Sequence, residues 1–376
     1  MSRRIPDGVL ARHDVLVGSD NAFQREVRRL QALWREQRGH PVELGHGKPL
    51  GCRIEADLPR DTLANFLTDG IHDVVRHAVL GAERTRDQRF DEGQLFWTLL
   101  SSQPLCINLF GKTALDLDLA TTMFRHFAPE RVGRVTAIRF EHSPGRGALR
   151  FTGDRSAFDV FFVEYVSPTR RRGFVAIAVQ YREACGDPAA EHRQRYDELA
   201  EAMGCFVADR AALRSPPLQQ IWRDLLLAGA LVAAGVGCDE GVFVFLAPER
   251  NVACWRAVEK YRRLLTSDST LACWTPEAVV RPFTSDWSAT WCAELVNRDL
   301  AFERVSACMV RETGHPPGPA IGCEHRLPML WGEPERAAGR MAQRRGGAVG
   351  GCLVGAVKPD LECERCGHRV RSEATR

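Results

Sequence analysis

Lysine is scarce in this chain of 376 residues: arginine supplies nearly all of the 51 basic side chains. That bias suits phosphate contact, but a GC-rich coding sequence produces it equally well. The net charge of +3 and a pI near 8.3 permit nucleic-acid binding without requiring it. No long hydrophobic run is present. The longest apolar-looking stretch without charge lies between Asp224 and Asp239, short of the roughly 20 residues a membrane helix needs. The opening "MSRRIPDGVLARHD" lacks a secretory apolar region. With thirteen cysteines, an odd number, the expectation is free, mostly buried thiols in a reduced, cytoplasmic setting. There is no G-x-S-x-G and no internal repeat.

What is present is enough apolar residue, 44%, for a sizeable core in one large domain or two smaller ones. Ser19 or Asp20 can cap a helix carrying Phe23, Val27, Leu30 and Trp34 on one face. Arg25, Arg28, Arg29 and Arg35 fall off that stripe and read as a solvated face. "GHPVELGHGKPLG" reads as a connection. Its Gly47-Lys48 is no phosphate loop, because Pro49 stands where Ser or Thr should be and the earlier glycine is missing. Residues 61–80 and the stretch "DEGQLFWTLLSSQ" read as helical.

From Val132 the spacing changes to that of strands: "RVTAIRFEH", "AFDVFFVEYV" and, after the turn "SPTRRRG", "GFVAIAVQYRE". Helices at 191–204 and in "SPPLQQIWRDLLLAGALVAAG", a buried strand "GVFVFLAP" and a helix capped by Asn251 follow. The expected division is an N-terminal helical region over 1–130, an α/β core with C-terminal helices over 131–305, and a Gly/Pro/Arg-rich, poorly ordered tail over 306–376.

The hairpin raises the functional question. It is apolar on both faces, as central strands are, yet it carries Asp159 on one arm and Gln180 on the other. A register that sets Asp159 opposite Ala178 or Gln180 groups these polar side chains and is the expected one.

The stretches "SSQPLCINLFG", "RFEHSPGR", "TGDRSAFDVFFVEY" and "GFVAIAVQYRE" resemble the restriction-endonuclease-like branch of the PD-(D/E)XK nuclease superfamily. The resemblance is strongest over 98–182 and continues to about residue 304. It implies an α/β fold, a mixed sheet flanked by helices, with DNA as the partner and magnesium as the cofactor. By position, Asp159 matches the family's metal-binding Asp, Ala178 falls where the Glu of Glu-x-Lys should be, and Gln180 falls on the Lys. Magnesium seeks carboxylate oxygens, so Ala178 removes a ligand and leaves metal held only weakly. Gln180 donates a hydrogen bond but lacks the lysine's charge.

Glu141 is the best spare carboxylate to stand with Asp159 as a metal ligand, ahead of Asp154 and Glu92. Glu183 and Glu164 would point to the wrong face of a regular strand. For nucleic acid, Arg146 and Arg155 in loops beside the strands are the leading candidates, with Arg171, between Arg170 and Arg172 at the hairpin tip, as a third. Cys363 and Cys366, with His368, form only half of a zinc knuckle, so structural zinc is not expected. Two readings result: a DNA-acting nuclease-like protein with a degenerate hydrolytic centre, or a non-catalytic scaffold that keeps the fold.

Overall fold

A computed structural model describes residues 5–55, 59–81, 90–142, 148–154, 161–183, 185, 189–235, 237–283 and 289–313, with four short strands beyond them. The chain forms two compact units, one of residues 34–300 and one of residues 1–33 with 301–376.

The first of these units begins with a hairpin of β1 (Val42–Gly45) and β2 (Lys48–Ile54). The sequence reading took this stretch for a connection. Its turn is His46-Gly47, both with positive φ (51° and 76°), the conformation a two-residue hairpin turn demands. Histidine in place of the usual Asn or Asp hid the signal. The helix expected across "DEGQLFWTLLSSQ" is also interrupted. Gly93–Trp97 is a π-helical turn, Thr98 bridges to Arg53, and a new helix, Ser102–Leu115, starts after Ser101, whose hydroxyl accepts from the Gln103 N–H.

The core of this unit is a five-stranded mixed sheet in the order β3-β4-β5-β6-β7. β3 (Arg134–Phe140), β4 (Phe161–Val166) and β5 (Arg172–Val179) form an antiparallel meander, and β6 (Glu240–Leu246) and β7 (Leu271–Trp274) extend it in parallel. Parallel strands need crossovers. Helices Gln194–Met203 and Gln219–Ala233 supply one, and Val252–Arg262 the other. This is the expected α/β architecture, and every residue of β5 from Gly173 to Val179 is buried within it. Phe162, Phe174, Ala176, Ala178, Phe243 and Phe245 pack with Trp222, Leu225, Tyr196 and Tyr261 of the crossover helices.

The register of the β4–β5 hairpin is a correction. Phe161 lies opposite Ile177 and Val163 opposite Val175, whereas the expected register sets Phe161 opposite Ala176 or Ala178. The connection is the five residues Ser167–Arg171, with Arg170 at φ 65° and the Arg170 N–H donating to the Ser167 carbonyl. Its centre is therefore Thr169, half a residue from the centre assumed. Grouping of polar side chains gave no real preference, because both faces are apolar and buried. Asp159 itself lies outside the described residues.

In the other unit, the helix Ala22–Arg38, which continues past the division, starts at a reciprocal cap. Asn21 accepts from the Gln24 N–H at 3.0 Å while its own N–H donates to the Gln24 side chain at 2.9 Å. Asn21, not Ser19 or Asp20, is the cap. The arginines off the stripe are not simply solvated: Arg25 pairs with Asp7, Arg28 with Asp20, and Arg29, fully buried, with Glu312. Arg35, beyond the division, donates to the carbonyls of Gly51 and His40.

Glu312 also meets Arg12 at 3.1 Å and His13 at 3.4 Å. It sits on the helix Phe302–Thr313, which buries Val305 and Met309 and runs through the expected 305/306 boundary. Farther on, β8 (Arg326–Leu330), β9 (Ala348–Val349), β10 (Leu361–Cys363) and β11 (Arg369–Val370) form a four-stranded sheet.

Cutting the chain after Val305 should therefore lower the melting temperature by several degrees, since it removes Met309 and the Glu312 charge cluster. Met309→Ala alone should cost about 2–5 kcal/mol. Thermal unfolding measures both, and an unchanged midpoint after the Val305 cut would show that this helix contributes nothing.

Candidate functional site

The C-terminal end of β5 opens a cavity of about 230 Å³ lined by Ser102, Gln180, Glu183, Cys185, Arg223 and Phe245, among others. Its position follows from the strand's end. β5 stops at Val179, and the Gln180 N–H still donates to the Leu246 carbonyl at 2.7 Å before the chain bends at Tyr181. Gln180 is 8% exposed and turns toward this cavity. Ala178, two residues earlier, is 1% exposed, pairs with Phe245 and belongs to the apolar core cluster.

Glu183 is the residue that strand arithmetic dismissed. An odd offset from 178 would turn it to the opposite face only if the strand continued, and it does not. The bend places Glu183 on the same cavity as Gln180. The residue as a whole is half-buried, but one carboxylate oxygen is fully enclosed and lacks a hydrogen-bond partner. Burial pushes its carboxyl above the ordinary range, and the backbone N–H groups nearby and the Arg182 charge only partly offset that. The segment is pinned from outside. Tyr181 donates to the Asp299 carbonyl at 3.1 Å, and the Asn251 amide donates to the carbonyls of Tyr181 (3.4 Å) and Glu183 (2.8 Å).

The other predicted residues disperse. Glu141 follows β3, is 4% exposed with φ 49°, and is not among the side chains lining the cavity. It lies close enough to Cys106 for its charge to add to burial in raising that thiol. Asp154 is engaged: it takes two hydrogen bonds from Arg223 (2.9 and 3.1 Å), one from Tyr196 and one from Thr152 at 2.7 Å. Glu92 is exposed beside Arg60 at 3.2 Å. Arg171 is at the wrong end of β5, nine residues from Gln180, or roughly 30 Å along the strand. There it pairs with Glu240 at 3.0 Å and donates to the Asp239 carbonyl at 2.8 Å. Asp159, Arg146, Arg155 and Cys366 lie outside the described residues.

Magnesium wants several oxygen ligands, commonly with one or two carboxylates among them. The described cavity wall offers one carboxylate, Glu183, beside the amides of Gln180, Gln219 and Gln220 and the Ser102 hydroxyl, and Ala178 contributes no ligand atom. Among the described residues no three His, Cys, Asp or Glu side chains come together as a metal group. The described wall does not fit the paired-carboxylate site.

A family model described as the PD-(D/E)XK nuclease superfamily matches residues 18–301. Comparison with curated proteins and with solved structures returns no match.

The raised Glu183 carboxyl generates a pH test. A folded chain that holds this proton more tightly gains stability that is complete below the unfolded value, about 4.3, and lost as pH rises through the folded one. Glutamine cannot ionise. Glu183→Gln should therefore gain stability over the native chain at about pH 7.5, and the gain should vanish toward about pH 4. Melting temperatures across that range measure it; a constant difference at all pH values would show that the carboxyl is not perturbed.

Proposed function

The chain belongs to the PD-(D/E)XK nuclease superfamily, and from that premise we propose that it acts on DNA with a degenerate phosphodiester-cleaving centre, binding more effectively than it cuts. One observation carries this reading. Ala178, which the resemblance sets at the family's Glu, is sealed in an apolar cluster, while Gln180, which it sets at the Lys, lines a polar cavity. Hydrolysis of this class relies on a metal to position the phosphate and supply a nucleophilic water near neutral pH. Ala178 withdraws a ligand for such an ion, and the amide of Gln180 donates a hydrogen bond without stabilising a developing anion by charge. Binding, by contrast, needs no carboxylate. Phosphate contacts from arginine suffice, and Arg146 and Arg155 are proposed to provide them.

The test compares binding with cleavage. The native chain should retard duplex DNA in a gel, less so as salt rises, and leave plasmid DNA intact in magnesium or manganese. Ala178→Glu with Gln180→Lys should lower stability, because it places a carboxylate against Phe245. It should also add metal binding and metal-dependent cleavage. Full cleavage by the native chain, lost in Glu141→Ala, would mean a rebuilt centre. Absence of DNA retardation would favour a scaffold that keeps the fold for other contacts.

A further inference from the structure

Two free cysteines meet at the edge of the cavity. The Cys185 and Cys254 sulfurs are 3.2 Å apart, closer than two unbonded sulfurs ordinarily pack. Cys185 is half-buried, lines the cavity and has a left-handed backbone (φ 54°). Cys254 is fully buried in the first turn of the helix Val252–Arg262, where its N–H donates to the Asn251 cap at 3.3 Å. Its thiol donates to the Glu183 carbonyl at 3.3 Å. One sulfur is therefore reachable through the cavity, and the other is protected and already aimed at the same segment.

We propose that Cys185 and Cys254 are a peroxide-sensitive pair that closes a disulfide beside the cavity. The proposal rests on sulfur geometry and does not depend on the nuclease reading. In the first step the Cys185 sulfur attacks one oxygen of hydrogen peroxide. The O–O bond breaks, Cys185 becomes a sulfenic acid and one water leaves. In the second, the Cys254 sulfur attacks the sulfenyl sulfur. The S–S bond forms, the S–O bond breaks, and the hydroxyl departs with the Cys254 proton as a second water. The two thiols have then given two electrons to one peroxide. The order follows from access, since of the two only Cys185 lines the cavity, and the sulfur–sulfur contact with Cys185, together with burial, keeps Cys254 a thiol until its partner is activated.

The product would join the segment that carries Gln180 and Glu183 covalently to the helix that already holds it through Asn251. Oxidation should thus fix the cavity wall and raise the stability of the chain.

The experiment treats the purified full chain with hydrogen peroxide, blocks remaining thiols with an alkylating agent, and maps peptides without reduction. The expected result is a Cys185–Cys254 linked peptide that disappears with dithiothreitol, together with a higher melting temperature of the oxidised chain. Cys254→Ala should leave Cys185 as a sulfenic acid that dimedone traps, and Cys185→Ala should leave Cys254 unoxidised at the same peroxide dose. Because the native chain alone can yield the linked peptide, a variant that fails to fold does not decide the matter. Recovery of both cysteines alkylated, of Cys185 as sulfinic acid in the native chain, or of Cys185 linked to a different cysteine would overturn the proposal.

Discussion

Burial of β5 on both faces is the constraint from which the rest of the larger unit follows. An apolar run such as "GFVAIAV" cannot lie at a solvated edge. It must take a neighbour on each side and a layer above and below. β4 supplies one neighbour antiparallel and β6 the other in parallel. The parallel partner forces a long crossover, and the crossover helices are what cover the face of Phe174, Ala176 and Ala178. The mixed character of the sheet is thus a consequence of one strand's composition. The polar site can form only where that strand stops.

The stopping place is built from outside the strand. Asn251 uses its amide on two carbonyls of the segment after β5 while its side-chain oxygen caps a helix, and Tyr181 anchors to the Asp299 carbonyl. The buried backbone carbonyls leaving the sheet thereby find partners that a ladder would otherwise provide. At the side of the cavity, Arg223 is held by Asp154, which also ties Tyr196 of one crossover helix to Arg223 of the other. Removing either partner would leave the other buried and uncompensated. Asp154 is in this sense a structural carboxylate, although its acidity and its place beside the strands make it resemble a site residue.

Much of this was legible because strand alternation and apolar runs are short-range signals. The meander, the buried strand at 240–246, the crossover helices and the Asn251 cap all follow from local composition. The failures have specific causes. The β4–β5 register depended on a turn whose centre differs by half a residue from the one assumed, with Arg170 in a left-handed conformation that nothing in "SPTRRRG" announces. The hairpin at His46-Gly47 used an uncommon turn pair. Arg29 and Glu312 are far apart in the chain, and no periodicity links them. Glu183 was missed because face arithmetic was carried past the last residue of the strand. Tyr181 and Glu183 both depend on Asn251, and that dependence is tertiary. Among the proposed site residues, Gln180 follows the last residue of β5 and lines the cavity, while Arg171, expected at the hairpin tip, lies at the other end of the same strand.

Positions 178 and 180 differ sharply in their surroundings. Position 178 is inside the apolar cluster, against Phe245, where a carboxylate carries a large desolvation cost. A bound cation can offset that cost, so such a carboxylate and its metal are interdependent: each is favourable only with the other. Without the cation, alanine is the lower-energy occupant, since it has no polar atom and fits beside the aromatic ring. Position 180 lines the cavity, where a mostly buried amide has polar side chains around it. The packing of this strand thus sets an apolar side chain at the enclosed position 178 and a polar one at position 180 on the cavity.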